Sequence, residues 1–365
     1  MKTKGKEKPA EFSDLPIFTP QLNQETLPLG SDQPGQPEVM VRNTFGLPVR
    51  AIRLLRIGSQ DDFHKLQSLH EEGSKPLLFL GEGSNILFTR DFNGTIVQAG
   101  FDGIEVLESK QDRFLIRVGA AWNWDRWVAY ALDHGWYGLE NLSLIPGTVG
   151  AAPVQNIGAY GTALEDHLAW VEAWDTQTGR LERFSREECN LGYRSSRFKH
   201  QPERFFISHV VFSLSEKPRL NTAYGNLKEE LARLGGRTPA DLRNLIIQTR
   251  KQKLPDPVEF GNAGSFFKNP VVDEIVYKCL RAEFGDVPHY PVPAARMKIP
   301  AAWLIDKAGL RGKREGQVGT WPGQPLVLVN HGGATGEQIG NFARTVQEKV
   351  GSLFGIELEP EVRIL

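Results

Sequence analysis

Apolar positions along the chain follow two periods. Alternating or continuous apolar runs predict strands over 50–56, 77–80, 94–98, 104–108, 114–120, 168–175, 205–214 and 325–330. Helical spacing predicts a helix over 61–72, with Phe63, Leu66 and Leu69 on one face behind a Ser59 or Gln60 cap. A second, over 123–133, aligns Trp124, Trp127, Val128, Ala131 and Leu132 and is ended by Gly135. Two more are expected at about 225–235 and 239–251, the latter with Thr238 as cap and Pro239 in its first turn. Pro300 opens a helix through Ala308. Thr335 and Gln338 form a capping box for a long helix bearing Ile339, Phe342, Val346, Val350 and Leu353, with Gly355 as its stop.

The order of these elements suggests organisation. Strand, helix and strand over 50–80 read as a small βαβ unit whose last strand feeds the loop Gly81-Glu82-Gly83-Ser84-Asn85. Residues 1–38 hold six of the 23 prolines and show neither period, so a flexible tail is expected there. A boundary is expected near Lys253-Leu254-Pro255-Asp256-Pro257, where two prolines block a helix, with an α/β unit beyond it.

Composition narrows the class. Among 365 residues, 43 basic and 44 acidic side chains leave a net charge of −1, which excludes the broad basic field of a nucleic-acid binder. Any anionic ligand must be met by local groups. Cys189 and Cys279 form no C-x-x-C pair, which fits a reducing compartment. The start, MKTKGKEKPAEFSDLP, has no apolar run behind its lysines, so a cytoplasmic protein without membrane insertion is expected. No H-E-x-x-H, G-x-S-x-G or P-loop is present, which disfavours a protein-held metal, a hydrolase nucleophile and P-loop chemistry.

Three places could carry chemistry. In the loop 81–85, glycines let backbone N–H groups approach a pyrophosphate, and Ser84 and Asn85 add donors. Its spacing is not the Rossmann fingerprint, since Ile86 stands where the third glycine belongs and strand-like NILF follows. A tight turn without ligand and a phosphate cradle both satisfy these residues. The segment 145–161, IPGTVGAAPVQNIGAYG, is apolar and glycine-rich, suited either to wrapping a flat aromatic ligand or to a buried crossover. Finally, YRSSRFK at 193–199, GNAGSFFKNP at 261–270 and LEPEVR at 358–363 each set a polar residue among Gly, Pro or aromatics. A serine so placed can equally be a buried hydroxyl with one local hydrogen bond.

Together these segments resemble the UDP-N-acetylenolpyruvoylglucosamine reductases, or UDP-N-acetylmuramate dehydrogenases. The resemblance runs from NTFG at 43–46 through LGEGSN, GLENLSLIPGTVGAAPVQNIGAYG, GYRSSRFK, KLPDP, GNAGSFFKNP and AAWLIDKAGLRG to LEPEVR. It implies an α+β protein with an FAD-binding fold of the vanillyl-alcohol-oxidase (PCMH) type and a C-terminal α/β substrate-binding domain. The implied divisions are a tail (1–38), a small FAD-binding subdomain (39–110), a larger one (111–252) and the substrate domain (253–365).

The implied activity is NADPH-dependent reduction, via FAD, of UDP-N-acetylglucosamine enolpyruvate to UDP-N-acetylmuramate in peptidoglycan synthesis. Another FAD-dependent oxidoreductase of the same fold is the alternative. By motif, Ser265 matches the proton donor, and Arg194 and Glu361 the pair that polarises the enolpyruvyl carboxylate. Gly81, Glu82, Gly83, Ser84 and Asn85 match the pyrophosphate cradle. Pro146, Gly147, Gly150, Asn156, Gly158 and Tyr160 match the wall along the isoalloxazine. Tyr224 matches the substrate tyrosine of the type I members, and Lys253 and Asn269 match diphosphate contacts. Ala151 and Ala152 depart from the family's small hydroxyl residues. The resemblance implies a cytoplasmic monomer with no metal and with NADPH as co-substrate.

Overall fold

The computed structural model describes residues 39–72 and 76–365. The tail expected over 1–38 lies outside the described residues.

The first sheet runs in the order Val39–Val41, Val49–Ile57, Phe92–Ala99, Leu77–Phe79. Its outer pair is antiparallel and the others parallel. Helix α1 (Phe63–Glu72) connects Val49–Ile57 to Leu77–Phe79, but those strands are not neighbours as a simple βαβ unit would have them. Phe92–Ala99 lies between, pairing Ile96 with both Leu54 and Leu78. Its run Gly94-Thr95-Ile96-Val97 is buried throughout, and a strand apolar on both faces takes a central position.

The second sheet is antiparallel, in the order Arg180–Ser185, Leu168–Asp175, Phe205–Ser215, Arg113–Gly119, Ile104–Lys110. Helix α2 (Trp124–Asp133) supplies Trp124, Trp127, Val128 and Ala131 to its core, and Asn123 caps it by accepting from Arg126 N. The edge strand Arg180–Ser185 escapes the apolar pattern because it buries only Phe184. The short helix α3 (Arg197–His200) follows, capped by Ser196.

Helix α4 (Leu227–Arg233) is shorter than expected, since Gly235 at φ +71° leaves the helical region. Helix α5 (Pro239–Lys253) has the expected Thr238 cap, with Asp241 closing the box. Beyond it, Gly261–Ser265 joins Val327–Asn330, Val318–Thr320 and Arg314–Glu315 in one sheet. Val271–Asp273, Arg296–Lys298 and Tyr290–Val292 form another. Helix α6 (Glu274–Phe284) was not anticipated; its Ile275-Val276-Tyr277 run suits a strand by propensity, and Ile275 is exposed. Helices α7 (Ala301–Lys307) and α8 (Gly336–Phe354) match expectation, with Thr335, Gln338 and Gly355 at the ends of α8. Leu353, however, faces solvent, while Phe342, Val346, Val350 and Phe354 are buried.

One large core joins the two ends of the chain: Phe45, Leu78, Leu87, Phe88 and Ile96 pack with Phe266, Phe267, Leu304, Ile339 and Leu358. The closing strand Arg363–Ile364 pairs in parallel with Ile86–Leu87, and Leu365 O accepts from Thr89 N at 2.7 Å. The C-terminal segment is thus stitched onto the glycine loop. No helix among the described residues is long and apolar enough to cross a membrane.

Candidate active site

The loop 81–85 packs directly on the start of the 145–161 segment. Ser84 Oγ donates to Pro146 O at 3.1 Å, and the Glu82 carboxylate accepts from Gly147 N at 3.0 Å and Asn123 Nδ2 at 2.8 Å. Side chains have no room at this seam. A Cβ on Gly81 would stand 2.8 Å from Thr148 Oγ1, one on Gly83 (φ +68°) 2.7 Å from Arg42 O, and one on Gly150 2.6 Å from Ala120 Cβ. Among the described residues, no backbone N–H of Glu82, Gly83, Ser84 or Asn85 donates a hydrogen bond. Thr148 caps a 3-10 helix (Val149–Gln155), accepting from Ala151 N. A glycine cradle with free backbone donors beside a long apolar wall suits a pyrophosphate joined to a flat ring, so these residues fit FAD.

The wall is shaped by two residues in the left-handed region, Asn156 at φ +44° and Tyr160 at φ +48°. Asn156 is buried; it donates to Gly192 O at 3.2 Å and accepts from Glu165 N at 3.1 Å. Its side chain therefore serves the loop. Asn141 donates to Tyr160 O and to Asn221 O, tying the wall to the segment that leads to Tyr224.

Arg194 and Glu361 meet. Arg194 Nε donates to Glu361 Oε1 at 2.6 Å and Nη2 to Gly158 O at 3.0 Å. Arg194 itself is left-handed (φ +55°) in a turn closed by Gly192 and Ser195, and its carbonyl accepts from Lys199 Nζ at 3.0 Å. Such backbone conformations cost on the order of 1–3 kcal/mol and persist where surrounding contacts determine them. Glu361 is only 8% exposed. Burial pushes its carboxyl above the ordinary glutamate range, opposed by the Arg194, Lys199 and Lys268 charges.

Ser265 ends its strand next to Phe266, whose carbonyl accepts from Glu361 N at 2.8 Å. The serine is therefore beside the glutamate through the backbone, and its hydroxyl makes no hydrogen bond among the described residues. Asn269 N donates to Tyr193 Oη at 3.4 Å, while Asn269 Oδ1 accepts from Ala301 N at 2.9 Å and so serves the start of α7. Lys253 is exposed at the end of α5. The Tyr224 ring stands edge-on to Tyr160 with centroids 5.8 Å apart. Burial, with Tyr290, Tyr160 and Tyr193 nearby, pushes its phenol up to about 12.

Several residues of this neighbourhood have no sequence signal beyond their type. Asn85 Nδ2 donates to Gln155 Oε1 at 2.6 Å and to Glu361 O at 3.2 Å, linking glycine loop, wall and glutamate. Lys199 and Lys268 lie within charge range of Glu361. Arg250, near Tyr160 and Arg194, could have been suspected only from its place seven residues after Arg243 on α5.

Comparisons with known proteins converge on one description. Residues 256–365 match a family described as UDP-N-acetylenolpyruvoylglucosamine reductase, C-terminal domain, and residues 52–185 match an FAD binding domain. A UDP-N-acetylenolpyruvoylglucosamine reductase of Pseudomonas aeruginosa is 46% identical over 321 residues, covering 87% of this chain and 95% of the relative. One from Chromobacterium violaceum is 46% identical over 329 residues, covering 88% and 96%. The crystal structure of a UDP-N-acetylenolpyruvylglucosamine reductase from Thermus caldophilus superposes with a TM-score of 0.61 at 23% identity, covering 90% of this chain and 98% of that one. The α+β FAD-binding fold with a C-terminal domain is borne out.

Proposed function

The chain belongs to the UDP-N-acetylenolpyruvoylglucosamine reductase family, and from that premise we propose that it reduces the enolpyruvyl group of UDP-N-acetylglucosamine enolpyruvate with NADPH, through FAD, to give UDP-N-acetylmuramate for peptidoglycan synthesis. The observation that carries this reading is the convergence of Arg194, Glu361 and the backbone beside Ser265 next to a glycine cradle.

FAD, when bound, supplies the two-electron chemistry that connects NADPH to the substrate double bond. The free N–H groups of 82–85 would hold its pyrophosphate, and the wall with Pro146, Gly147, Gly150, Asn156, Gly158 and Tyr160 would receive its ring. Delivery of a hydride equivalent to C3 of the enolpyruvyl group leaves a negative charge at C2 that spreads into the carboxylate. Arg194 meets that charge as it grows. Glu361, raised by burial, donates a hydrogen bond in its protonated form or through water instead of repelling the carboxylate. The Ser265 hydroxyl protonates C2, a transfer open to so weak an acid because the carbon base is stronger still and the site is desolvated. Tyr224, Lys253 and Asn269 hold the diphosphate of the substrate or of NADPH.

The same reading divides the described chain into cofactor subdomains over 39–110 and 111–252 and a substrate domain over 253–365. The separate core around Ile116–Leu214 supports the middle unit, while the first and last share theirs. The proposed enzyme acts as a monomer in the cytoplasm, where NADPH is available.

The test is spectroscopic. Pure protein carries a flavin band that bleaches anaerobically with NADPH and returns with UDP-N-acetylglucosamine enolpyruvate. Rapid recovery with dioxygen and none with the enolpyruvyl nucleotide would identify a different flavin oxidoreductase.

A further inference from the structure

Lys199 sits in the four-residue helix α3, and different parts of the site hold its two ends. At the backbone, Lys199 N donates to Ser196 Oγ at 3.1 Å, and the fully buried Ser196 donates in turn to Val154 O in the wall at 2.6 Å. At the tip, Nζ turns back five residues and donates to Arg194 O at 3.0 Å. That carbonyl belongs to a left-handed residue whose turn otherwise rests on the reciprocal Gly192 and Ser195 backbone bonds at 3.0 and 3.2 Å. The lysine is thus a strut from the wall to the turn that aims the Arg194 guanidinium at Glu361.

The charges that act on Lys199 are those of Lys268, Glu361, Glu359 and Arg194. Both carboxylates are taken, Glu361 by Arg194 at 2.6 Å and Glu359 by the Lys268 ammonium. Lys199 makes no ion pair among the described residues, so three cations here face two carboxylates. It is also half-buried, where charges are screened less than at an open surface. Burial first, then Lys268, lowers its ammonium from the ordinary lysine range. The Arg194 carbonyl gives that ammonium an acceptor without cancelling its charge, so the surplus is felt at the Arg194 and Glu361 pair.

We propose that Lys199 is a positioning residue for the oxidative half-reaction: its ammonium locks the turn of Arg194 so that the guanidinium stays aimed, and it brings to the pair a positive charge that no carboxylate of the protein takes. That charge acts through Arg194 on the substrate carboxylate, where negative charge grows as the double bond is reduced. A residue with this duty matters when the enolpyruvyl group reacts and is idle when NADPH does. The proposal rests on the flavoenzyme reading above.

The test uses the FAD-loaded enzyme as wild type, Lys199→Met, Lys199→Gln and Lys199→Arg. It measures flavin reduction by NADPH, reoxidation by the enolpyruvyl nucleotide, and inhibition by UDP-N-acetylglucosamine, which has the same nucleotide and sugar without the enolpyruvyl carboxylate. Met, and Gln, which can still donate but is uncharged, should each slow reoxidation at least about fivefold. Both should leave reduction and the inhibition constant within about twofold of wild type, and Arg, which keeps donor and charge, should recover most of the loss. Slowing below fivefold in a flavin-bearing Met or Gln variant overturns the proposal. So does equal slowing of both half-reactions, an equal weakening of UDP-N-acetylglucosamine, failure of Arg to recover, or loss of flavin from Met and Gln alike, since each marks a packing role. Wild-type protein without flavin, or with a reduced flavin that the enolpyruvyl nucleotide does not reoxidise, sinks the flavoenzyme reading itself.

Discussion

Arg194 and Glu361, 167 residues apart in sequence, share a 2.6 Å hydrogen bond inside a site where the carboxylate is nearly sealed from water. Each is fixed from behind: Arg194 by Gly158 O and Lys199, Glu361 by Phe266 O and by Asn85 on its own carbonyl. The pair is held in place by the protein itself, and most of the expectations below derive from its proposed role.

Arg194→Ala should leave reduction by NADPH close to normal and slow reoxidation by the enolpyruvyl nucleotide, through lost charge stabilisation of about 3 kcal/mol or more. Anaerobic stopped-flow traces of the two half-reactions separate the effects. Equal slowing of both would count against the role.

Ser265→Ala should spare the reductive half-reaction and slow the oxidative one by several orders of magnitude, because only the second needs an acid. The hydroxyl makes no hydrogen bond among the described residues, so the melting temperature should stay near wild type. A variant that turns over normally removes serine from the mechanism.

Tyr224→Phe should raise KM for the enolpyruvyl nucleotide more than it lowers kcat, since the proposed diphosphate contact would bind ground and transition states alike. The ring contact with Tyr160 survives the change. Steady-state kinetics decide it.

Gly83→Ala puts a Cβ 2.7 Å from Arg42 O on a backbone at φ +68°. The loop must shift, at a cost of about 1–3 kcal/mol. Flavin content on purification should fall sharply, read as the ratio of visible to ultraviolet absorbance. Full flavin occupancy would show that the cradle tolerates displacement.

Stability should fall with acid through His209. Burial first, then the Arg117 guanidinium at 3.0 Å, hold its imidazole down to about 4, against Glu172 at 3.7 Å. Between pH 6.5 and about 4 the unfolded chain takes up a proton that the folded chain refuses, so stability drops as pH falls across that window and is fully present above it. The contribution is on the order of 3 kcal/mol. Urea midpoints at pH 7.5 and 5 should converge in His209→Gln; an unchanged pH dependence would place the effect elsewhere.

Much of the fold was legible in the sequence. The α5 and α8 boundaries follow from Thr238, Pro239, Thr335 and Gly355, because caps act within one turn of backbone. The insertion of Phe92–Ala99 between two earlier strands was not legible, nor was α6, whose β-branched start competes with its helical packing. Within the site, the motifs singled out Ser265, Arg194 and Glu361 as candidates, and the structure brings Arg194 and Glu361 together with the backbone next to Ser265. They did not reveal that Asn156 and Asn269 Oδ1 are engaged in holding loops, or that Asn85 reaches the carbonyl of Glu361.

The sequence alone determined what acts through neighbours along the chain: helix ends, strand periods, glycines where backbone must bend, and the residue types available for chemistry. The tertiary structure decided which of those residues meet. Charge pairing depends on separations of a few ångströms and on the exclusion of water, and both arise only when remote segments such as 192–195 and 358–363 pack against one cradle. That is why the sequence could name Arg194 and Glu361, but only the fold could bring them to 2.6 Å.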